Sequence, residues 1–594
     1  MQIIQEYMDF DTNGGASFHP TLEKMVFISD RYGHYQLMEY DLKTKTTIRL
    51  LETDNRCTNP IYLSDGSLLF STDNGGDEHF QLQLLSNGKL IRLTESLHSK
   101  HRFAFATDSH IYYSSNKREK QRFDVYRMKI PLNESGEEFL VEGSDYLPMS
   151  PKCISQGGKL ILTKSLGNLW NEIYLLDSEL VSLTSHLTEK KPRFVPVEFI
   201  DEDHFLLVSD LDRDFLSLGV FSLENREITF FEDSDWDTTD VKYKDGKIYY
   251  LKNVDGSSKF YIADLSEMML TNIKEIGAPE DLGVFVSGDF RSFLSSYAVS
   301  EGTILASFSS STSPTNVWMY TDKWSQLTGI ERDYSKYHFI NPNLERFASF
   351  DGLIVPYFFY SAEGNSLPTI LIIHGGPESM YRPSFSKIVQ MFLKLGFNVV
   401  APNIRGSNGY GRLYLSLDDI EKRLDSIKDI KALADHLEKK DEVDPKKLIV
   451  YGGSYGGYSV LASITNFPEK FAAAVDIVGI SDLYTFLKNT APWRRRIREV
   501  EYGYLDRDEE ILKRVSPIHK VDKIITPLFI VQGDNDERVP LSESIQMYEK
   551  LRERNVKCEM LRFADEGHGV TKRKNQLVQF ERITRFLNDV LNLK

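Results

Sequence analysis

Seven short apolar runs recur at a nearly even interval through the first half of the chain. They are Met25-Val26-Phe27, Leu68-Leu69-Phe70, Ile111-Tyr112-Tyr113, Leu160-Ile161-Leu162, Phe205-Leu206-Leu207, Ile248-Tyr249-Tyr250 and Ile304-Leu305-Ala306. Most steps between them are about 43–49 residues, and the last is longer. Each run is bounded by turn-forming Asp, Gly, Asn or Ser and is followed by a second, alternating strand. An interval of about 40–50 residues holding several strands is the period of a β-propeller blade, a small sheet that buries its faces only against its neighbours. Seven units predict seven blades over residues 16–335. An irregular β-sandwich is the competing arrangement, and the even period counts against it. Residues 1–15 precede the first unit and have no predicted place.

The pattern changes after about residue 330, with a boundary near Asn341-Pro342-Asn343. Thr369-Ile370-Leu371-Ile372-Ile373 is a continuous apolar run, as expected of a strand buried on both faces. Phe397-Asn398-Val399-Val400-Ala401, Lys447-Leu448-Ile449-Val450-Tyr451 and Leu528-Phe529-Ile530-Val531 are further strands. Between them, residues 425–439 carry Ile427, Ile430, Leu433, Ala434 and Leu437 at helical spacing. Alternating strands and helices predict a mostly parallel sheet with helices on both faces over residues 336–594. A chain of 594 residues is too long for one core, which fits two domains.

The net charge of −16 argues against nucleic acid as a partner, because a field of that sign repels phosphates. Cys57, Cys153 and Cys558 are odd in number and far apart, which is neither a disulfide framework nor a metal-ligand spacing. Met1-Gln2-Ile3-Ile4-Gln5-Glu6-Tyr7 has no basic and apolar signal regions. No apolar run approaches the roughly 18–20 residues of a membrane span. The expectation is a soluble, cytoplasmic protein with no membrane partner, no metal and no cofactor.

The sharpest local signal is Gly452-Gly453-Ser454-Tyr455-Gly456-Gly457, between the strand ending at Tyr451 and a helix-capable stretch, Tyr458-Ser459-Val460-Leu461-Ala462. This is G-x-S-x-G in the strand–turn–helix setting of a nucleophile elbow, and it predicts an α/β-hydrolase domain. A sharp turn lifts the serine hydroxyl above the sheet, and glycines relieve the crowding around it. An incidental serine in a glycine-rich turn is the bland alternative. Ser454 is therefore the candidate nucleophile.

A serine needs a base, and in this fold acid and base follow the nucleophile in that order. Of 13 histidines only His519 and His568 lie after Ser454. His568 sits in Asp565-Glu566-Gly567-His568-Gly569, between a strand and the last helix, where a base can reach over the sheet edge. His519, in Ser516-Pro517-Ile518-His519, reads as structural. The acid should follow the strand at 528–531, and there Asp534, Asp536 and Glu537 compete; spacing does not choose among them. The Tyr455 amide should donate to an oxyanion, and a second donor should come from His374-Gly375-Gly376-Pro377, after an earlier strand. His374 lies before the elbow and inside this loop, so it reads as structural.

Together these motifs resemble the prolyl oligopeptidase family of serine peptidases. The pieces are His374-Gly375-Gly376-Pro377, Asn403-Ile404-Arg405-Gly406-Ser407, Gly409-Tyr410-Gly411, the Ser454 elbow, Gly533-Asp534-Asn535-Asp536-Glu537-Arg538-Val539-Pro540 and Glu566-Gly567-His568-Gly569. They cover most of residues 345–594, and the propeller resembles the family only in its repeat. The resemblance implies Asp536 as the acid, three residues before the valine of a D-x-x-V-P pattern, and Gly376 and Tyr455 as oxyanion donors. The His-Gly-Gly-Pro and Asn-x-Arg-Gly-Ser stretches look most like the acylaminoacyl peptidase branch, and the Ser-Tyr-Gly-Gly-Tyr run also resembles dipeptidyl peptidases. No paired-glutamate motif of the latter is found in the propeller region.

The implied activity is hydrolysis of short, N-blocked peptides through an acyl-enzyme, with the propeller over the site admitting only small substrates. Dipeptidyl aminopeptidase or oligopeptidase action, a carboxylesterase and a non-catalytic propeller scaffold are the other readings. A substrate pocket is expected from Ile480, Leu483, Tyr484 and Trp493, with core packing as the even alternative. Arg405 and Arg494-Arg495-Arg496 are candidates for binding a substrate carboxylate, although pairing with the many acids is the stronger expectation. The family resemblance leaves room for a homo-oligomer.

Overall fold

A computed structural model describes residues 2–96, 98–130, 136–143, 149–286 and 295–593. Residues 13–326 form seven antiparallel sheets arranged in chain order. Blades 1 to 6 span residues 13–49, 56–92, 101–141, 149–182, 194–230 and 238–275, each with four strands. Blade 7, residues 283–326, has its first position shared by two short strands, Gly283–Phe285 and Tyr297–Ser300, which pair with the same neighbour.

Each of the seven apolar runs forms part of the second strand of its blade. The reason for three consecutive apolar residues lies in how the blades stack. Successive side chains point to opposite faces of a strand, and both faces of a blade are covered. In blade 5, Phe205 and Leu207 pack with blade 4, whereas Leu206 packs with blade 6. The same division holds in blade 3, where Ile111 and Tyr113 meet blade 2 and Tyr112 meets blade 4. One hydrophobic cluster thus separates every adjacent pair of blades. In blades 1 to 6 the ladder between first and second strands shifts register, a bulge that adds twist to the inner edge.

Among the described residues no strand is exchanged to close the ring. Met25, Phe27, Met38 and Tyr40 of blade 1 pack on Leu305 and Val317 of blade 7. The Asn13 amide donates to the Thr315 carbonyl (2.9 Å) and the Gly15 amide to Ser307 Oγ (2.8 Å). Blade 1 thus starts at Asn13, three residues before the boundary read from the sequence. The helix Gln2–Met8 that precedes it packs with the second domain, where Ile4, Tyr7, Met8 and Phe10 join Phe392, Phe586 and Leu587.

The second domain is built on one eight-stranded sheet. Its strands are β1 (Asn343–Ala348), β2 (Ile354–Tyr360), β3 (Leu367–Ile373), β4 (Asn398–Pro402), β5 (Val443–Gly453), β6 (Ala473–Ile477), β7 (Leu528–Gly533) and β8 (Cys558–Phe563). Their order is β1-β2-β4-β3-β5-β6-β7-β8, antiparallel through β4 and parallel from there. This is an α/β-hydrolase sheet with helices on both faces, so the two-domain architecture agrees with the sequence expectation. The parallel strands present their C-terminal ends on one edge, the edge at which such sheets bind ligands. No helix among the described residues is long and apolar enough to cross a membrane.

Candidate active site

Strand β5 ends at Gly453, and the helix Tyr455–Asn466 begins one residue later. Ser454, between them, has φ 59° and ψ −118°. A non-glycine residue in such a region stores about 1–3 kcal/mol of strain and needs surroundings that hold it. Its amide donates to the Ile477 carbonyl at the end of β6 (2.8 Å), and its carbonyl accepts from the Tyr458 amide (3.0 Å). The flanking glycines have no room for a side chain. A Cβ on Gly452 would lie 2.3 Å from the Gly456 carbonyl oxygen, and one on Gly456 would lie 2.2 Å from that of Ile373.

The two partners come from the same edge of the sheet. Asp536 follows β7, and His568 follows β8. His568 Nδ1 lies 2.7 Å from Asp536 Oδ2. The other oxygen, Oδ1, accepts from the amides of Arg538 (2.8 Å) and Val539 (2.9 Å). The rival acids are engaged elsewhere. Asp534 pairs with Arg562 (2.9 Å), while Glu537 pairs with His79 (2.6 Å) and Lys100 (2.9 Å) of the propeller. Burial alone would raise the Glu537 carboxyl, but the His79 and Lys100 contacts pull it down to about 2.

The base loop has an anchor that sequence reading passed over. Glu566 is fully buried and accepts from the Thr571 amide (3.0 Å), Thr571 Oγ1 (2.9 Å), the Lys572 amide (2.9 Å) and Asn575 Nδ2 (2.8 Å). Its own carbonyl accepts from the Asn535 amide (3.0 Å), which ties the base loop to the acid loop. Its one signal in the sequence is a position two residues before His568. The propeller reaches the same loop: a Cβ on Gly567 would lie 2.1 Å from the Gly76 carbonyl oxygen in blade 2.

The loop after β3 runs beside Ser454. A Cβ on Gly375 would lie 3.5 Å from Ser454 Cβ. Gly376 has φ 128°, and a side chain there would meet the Glu378 and Ser379 amides at 2.6 Å, so only glycine fits. The Gly376 carbonyl accepts from Arg498 Nη1 (3.0 Å), which holds the loop from the helix Pro492–Tyr502. The Tyr455 amide opens the helix after the elbow. Its ring is buried, and its hydroxyl lies 3.0 Å from both Asp418 and Ser426. His374 sits between the Gly375 carbonyl and Ser407 Oγ, both at 2.7 Å, and burial pushes its pKa down to about 4. His519 faces Asp482 at 3.4 Å instead.

The pocket expectations divide. Trp493 borders a cavity of about 340 Å³ between the domains, which Asp536 and Glu537 also line. Ile480 and Leu483 are buried in the main core cluster with Phe486, Val515 and Ile518, and Tyr484 packs against it, so these three are packing residues. Arg405 is a correction. It is buried, with two hydrogen bonds to each carboxylate of Asp429 and Asp351, and both pairs are occupied within the domain. Its fork ties the loop after β4 to the helix Arg423–Leu437, and no donor pair remains for a substrate. Asp418, Asp419 and Glu501 converge closely enough to hold a cation, and Arg423 already pairs with Asp418 and Glu501 there.

Known proteins share both the pattern and the fold. The sequence profile of the prolyl oligopeptidase family matches residues 383–594. Dipeptidyl peptidase family member 6 of Caenorhabditis elegans is 32% identical over 228 residues, 37% of this chain and 31% of that protein. Acylamino-acid-releasing enzyme 1 of rice is 29% identical over 244 residues, 39% of this chain and 31% of the relative. The match thus spans about a third of these relatives' length. Among solved structures, a puromycin-hydrolysing peptidase of Mycobacterium tuberculosis superimposes with a TM-score of 0.84 at 18% identity, over 100% of this chain and 96% of its own. An acylaminoacyl peptidase of Pyrococcus horikoshii gives 0.74 at 18% identity, over 98% and 97%. At that identity the likeness is one of fold, and it extends over both domains.

Proposed function

We propose that this chain, whose residues 383–594 match the sequence profile of the prolyl oligopeptidase family, is a serine peptidase that hydrolyses short peptides, N-acylated ones foremost. The observation that carries the reading is the strained Ser454 on the sheet edge from which the bonded pair His568 and Asp536 also projects. Asp536 engages Nδ1 of the imidazole, which sets Nε2 as the atom that exchanges protons with Ser454. The hydroxyl attacks the peptide carbonyl as its proton passes to His568. The Gly376 and Tyr455 amides hold the developing oxyanion. His568 then protonates the leaving amine, and water hydrolyses the acyl-enzyme by the same route.

Short peptides are favoured because the propeller lies against the catalytic loops. Glu78 pairs with Arg538 (3.0 Å), and Arg382 donates to the Gly256 carbonyl (2.9 Å) and Ser258 Oγ (2.8 Å). A second reading, dipeptidyl aminopeptidase, draws on Glu378, Asp419 and Glu501, which border a cavity of about 250 Å³. Glu378 lies two residues after Gly376, and such acids suit a free substrate ammonium.

The test uses a fluorophosphonate and a peptide panel. The wild type is expected to label at Ser454 and to cleave N-acetylated peptides faster than their free-amine counterparts. Ser454→Ala should lose labelling and turnover while keeping its melting temperature. Near-native turnover in that variant would sink the assignment, and a preference for free amines would favour the second reading.

A further inference from the structure

The domain interface around the candidate site is rich in cations, and most of them have a carboxylate. Arg538 pairs with Glu78, Arg498 with Glu378 (3.1 Å) and Lys100 with Glu537. Two do not. The side chains of Arg102, on the first strand of blade 3, and Arg494, on the helix Pro492–Tyr502, make no hydrogen bond or ion pair among the described residues. Both guanidiniums gather on one indole. Arg102 lies 4.4 Å from the Trp493 ring centroid and 3.9 Å from that of Phe123, and Arg494 lies 5.4 Å from Trp493. Arg494 Nε is buried without a partner.

The position is close to the chemistry. Arg494 stands one turn, about 6 Å along the axis, before Arg498, which holds the Gly376 carbonyl. The charges that act on Arg494 include Asp536, and Arg538 and Glu78 act on both arginines. Burial pushes Arg494 down to about 9 and Arg102 to about 10, so both remain cations at neutral pH. A desolvated cation whose counter-charges are not hydrogen-bonded to it is costly in a folded protein unless a ligand makes that bond. Guanidinium matches one ligand group above others, a carboxylate taken by two parallel N–H bonds.

We propose that Arg494, with Arg102 beside it, forms a carboxylate-binding subsite against the ring of Trp493, which itself lines the cavity beside Asp536, so that the protein selects peptides carrying a carboxylate close to the bond it cuts. The subsite rests on the peptidase reading of the neighbouring Ser454, His568 and Asp536. The carboxylate has two sources, an Asp or Glu side chain and the C-terminus of a short peptide.

The experiment measures binding, so that it stands apart from turnover. Fluorescent tetrapeptides are titrated into Ser454→Ala protein in two matched pairs: Glu against Gln with an amidated C-terminus, and a free against an amidated C-terminus with Gln. In at least one pair the acidic member should bind about tenfold tighter, the worth of a charge-assisted contact, and the discriminating pair names the source. Adding Arg494→Gln should erase the discrimination, and Arg494→Lys should keep part of it. Arg102→Gln, on the other domain, should weaken it and serves as the second variant if Arg494→Gln does not fold. Equal binding within both pairs, or discrimination that survives both glutamine variants, overturns the subsite. Fluorophosphonate labelling of the wild type reports separately on the peptidase reading.

Discussion

At the scale of single residues, the candidate site depends on side chains that hold other residues in place. Asp536 can orient His568 because its other oxygen is pinned by two backbone amides. Glu566 does the same for the loop that carries the base, and it does so from full burial with four donors. Removing such a hub leaves buried amides unpaired, at about 1–3 kcal/mol each. Glu566→Ala is therefore expected to lower kcat by about tenfold or more with a smaller change in KM, because the base is misplaced while the binding surface stays. The split is read from steady-state kinetics on a small ester. A change confined to KM would remove the positioning role.

At the scale of elements, the parallel strands β5 to β8 deliver the candidate residues, and β6 beneath the elbow carries an anomaly. Asp476 is buried beside Gly457 and Gly479 with no well-formed hydrogen bond, and burial pushes its pKa up to about 7. Its unfolded value is near 3.8, so between the two values the folded state binds a proton that the unfolded state has released. Stability from this group is complete below the lower value and falls as pH rises to about 7. Asp476→Asn lacks the penalty. Its melting temperature should match the wild type near pH 4 and exceed it at pH 8, by an amount worth a few kcal/mol. Equal melting temperatures at pH 8 would show that the carboxylate is compensated.

At the scale of the molecule, the two domains are held together at the catalytic loops themselves. Glu537, next to Asp536, takes His79 and Lys100 from the propeller, and Gly76 lies against Gly567. His79 has its pKa raised by the hydrogen bond to Glu537 against the cost of burial, with Lys100 opposing and Asp77 assisting. A raised histidine stabilises fully below its unfolded value near 6.5 and loses that contribution as pH rises through the folded value. Glu537 stays ionised down to about pH 2, so the histidine alone titrates in the neutral range. His79→Gln should thus melt below the wild type at pH 6, and the gap should close by pH 9. A gap independent of pH would assign the effect to packing.

The sequence by itself determined the architecture and singled out Ser454 and His568 as candidates. Blade number was legible because a middle strand covered on both faces must carry three apolar residues in a row, and such runs recur once per blade. The elbow was legible because close packing at Gly452 and Gly456 admits no side chain. What tertiary structure decided was pairing between distant positions. Spacing left Asp534, Asp536 and Glu537 open, and only the folded loops show which of them meets His568 and which meet Arg562 and the propeller. Arg405 and Arg494 look alike in sequence, yet Asp351 and Asp429 occupy the first, and the second lies against Trp493 with no hydrogen-bonded acid among the described residues. Residue type and period are local properties. A charge's partner is set by which loops the fold brings within hydrogen-bond reach, and the seven-bladed cap supplies His79 and Lys100 to Glu537 and Glu78 to Arg538.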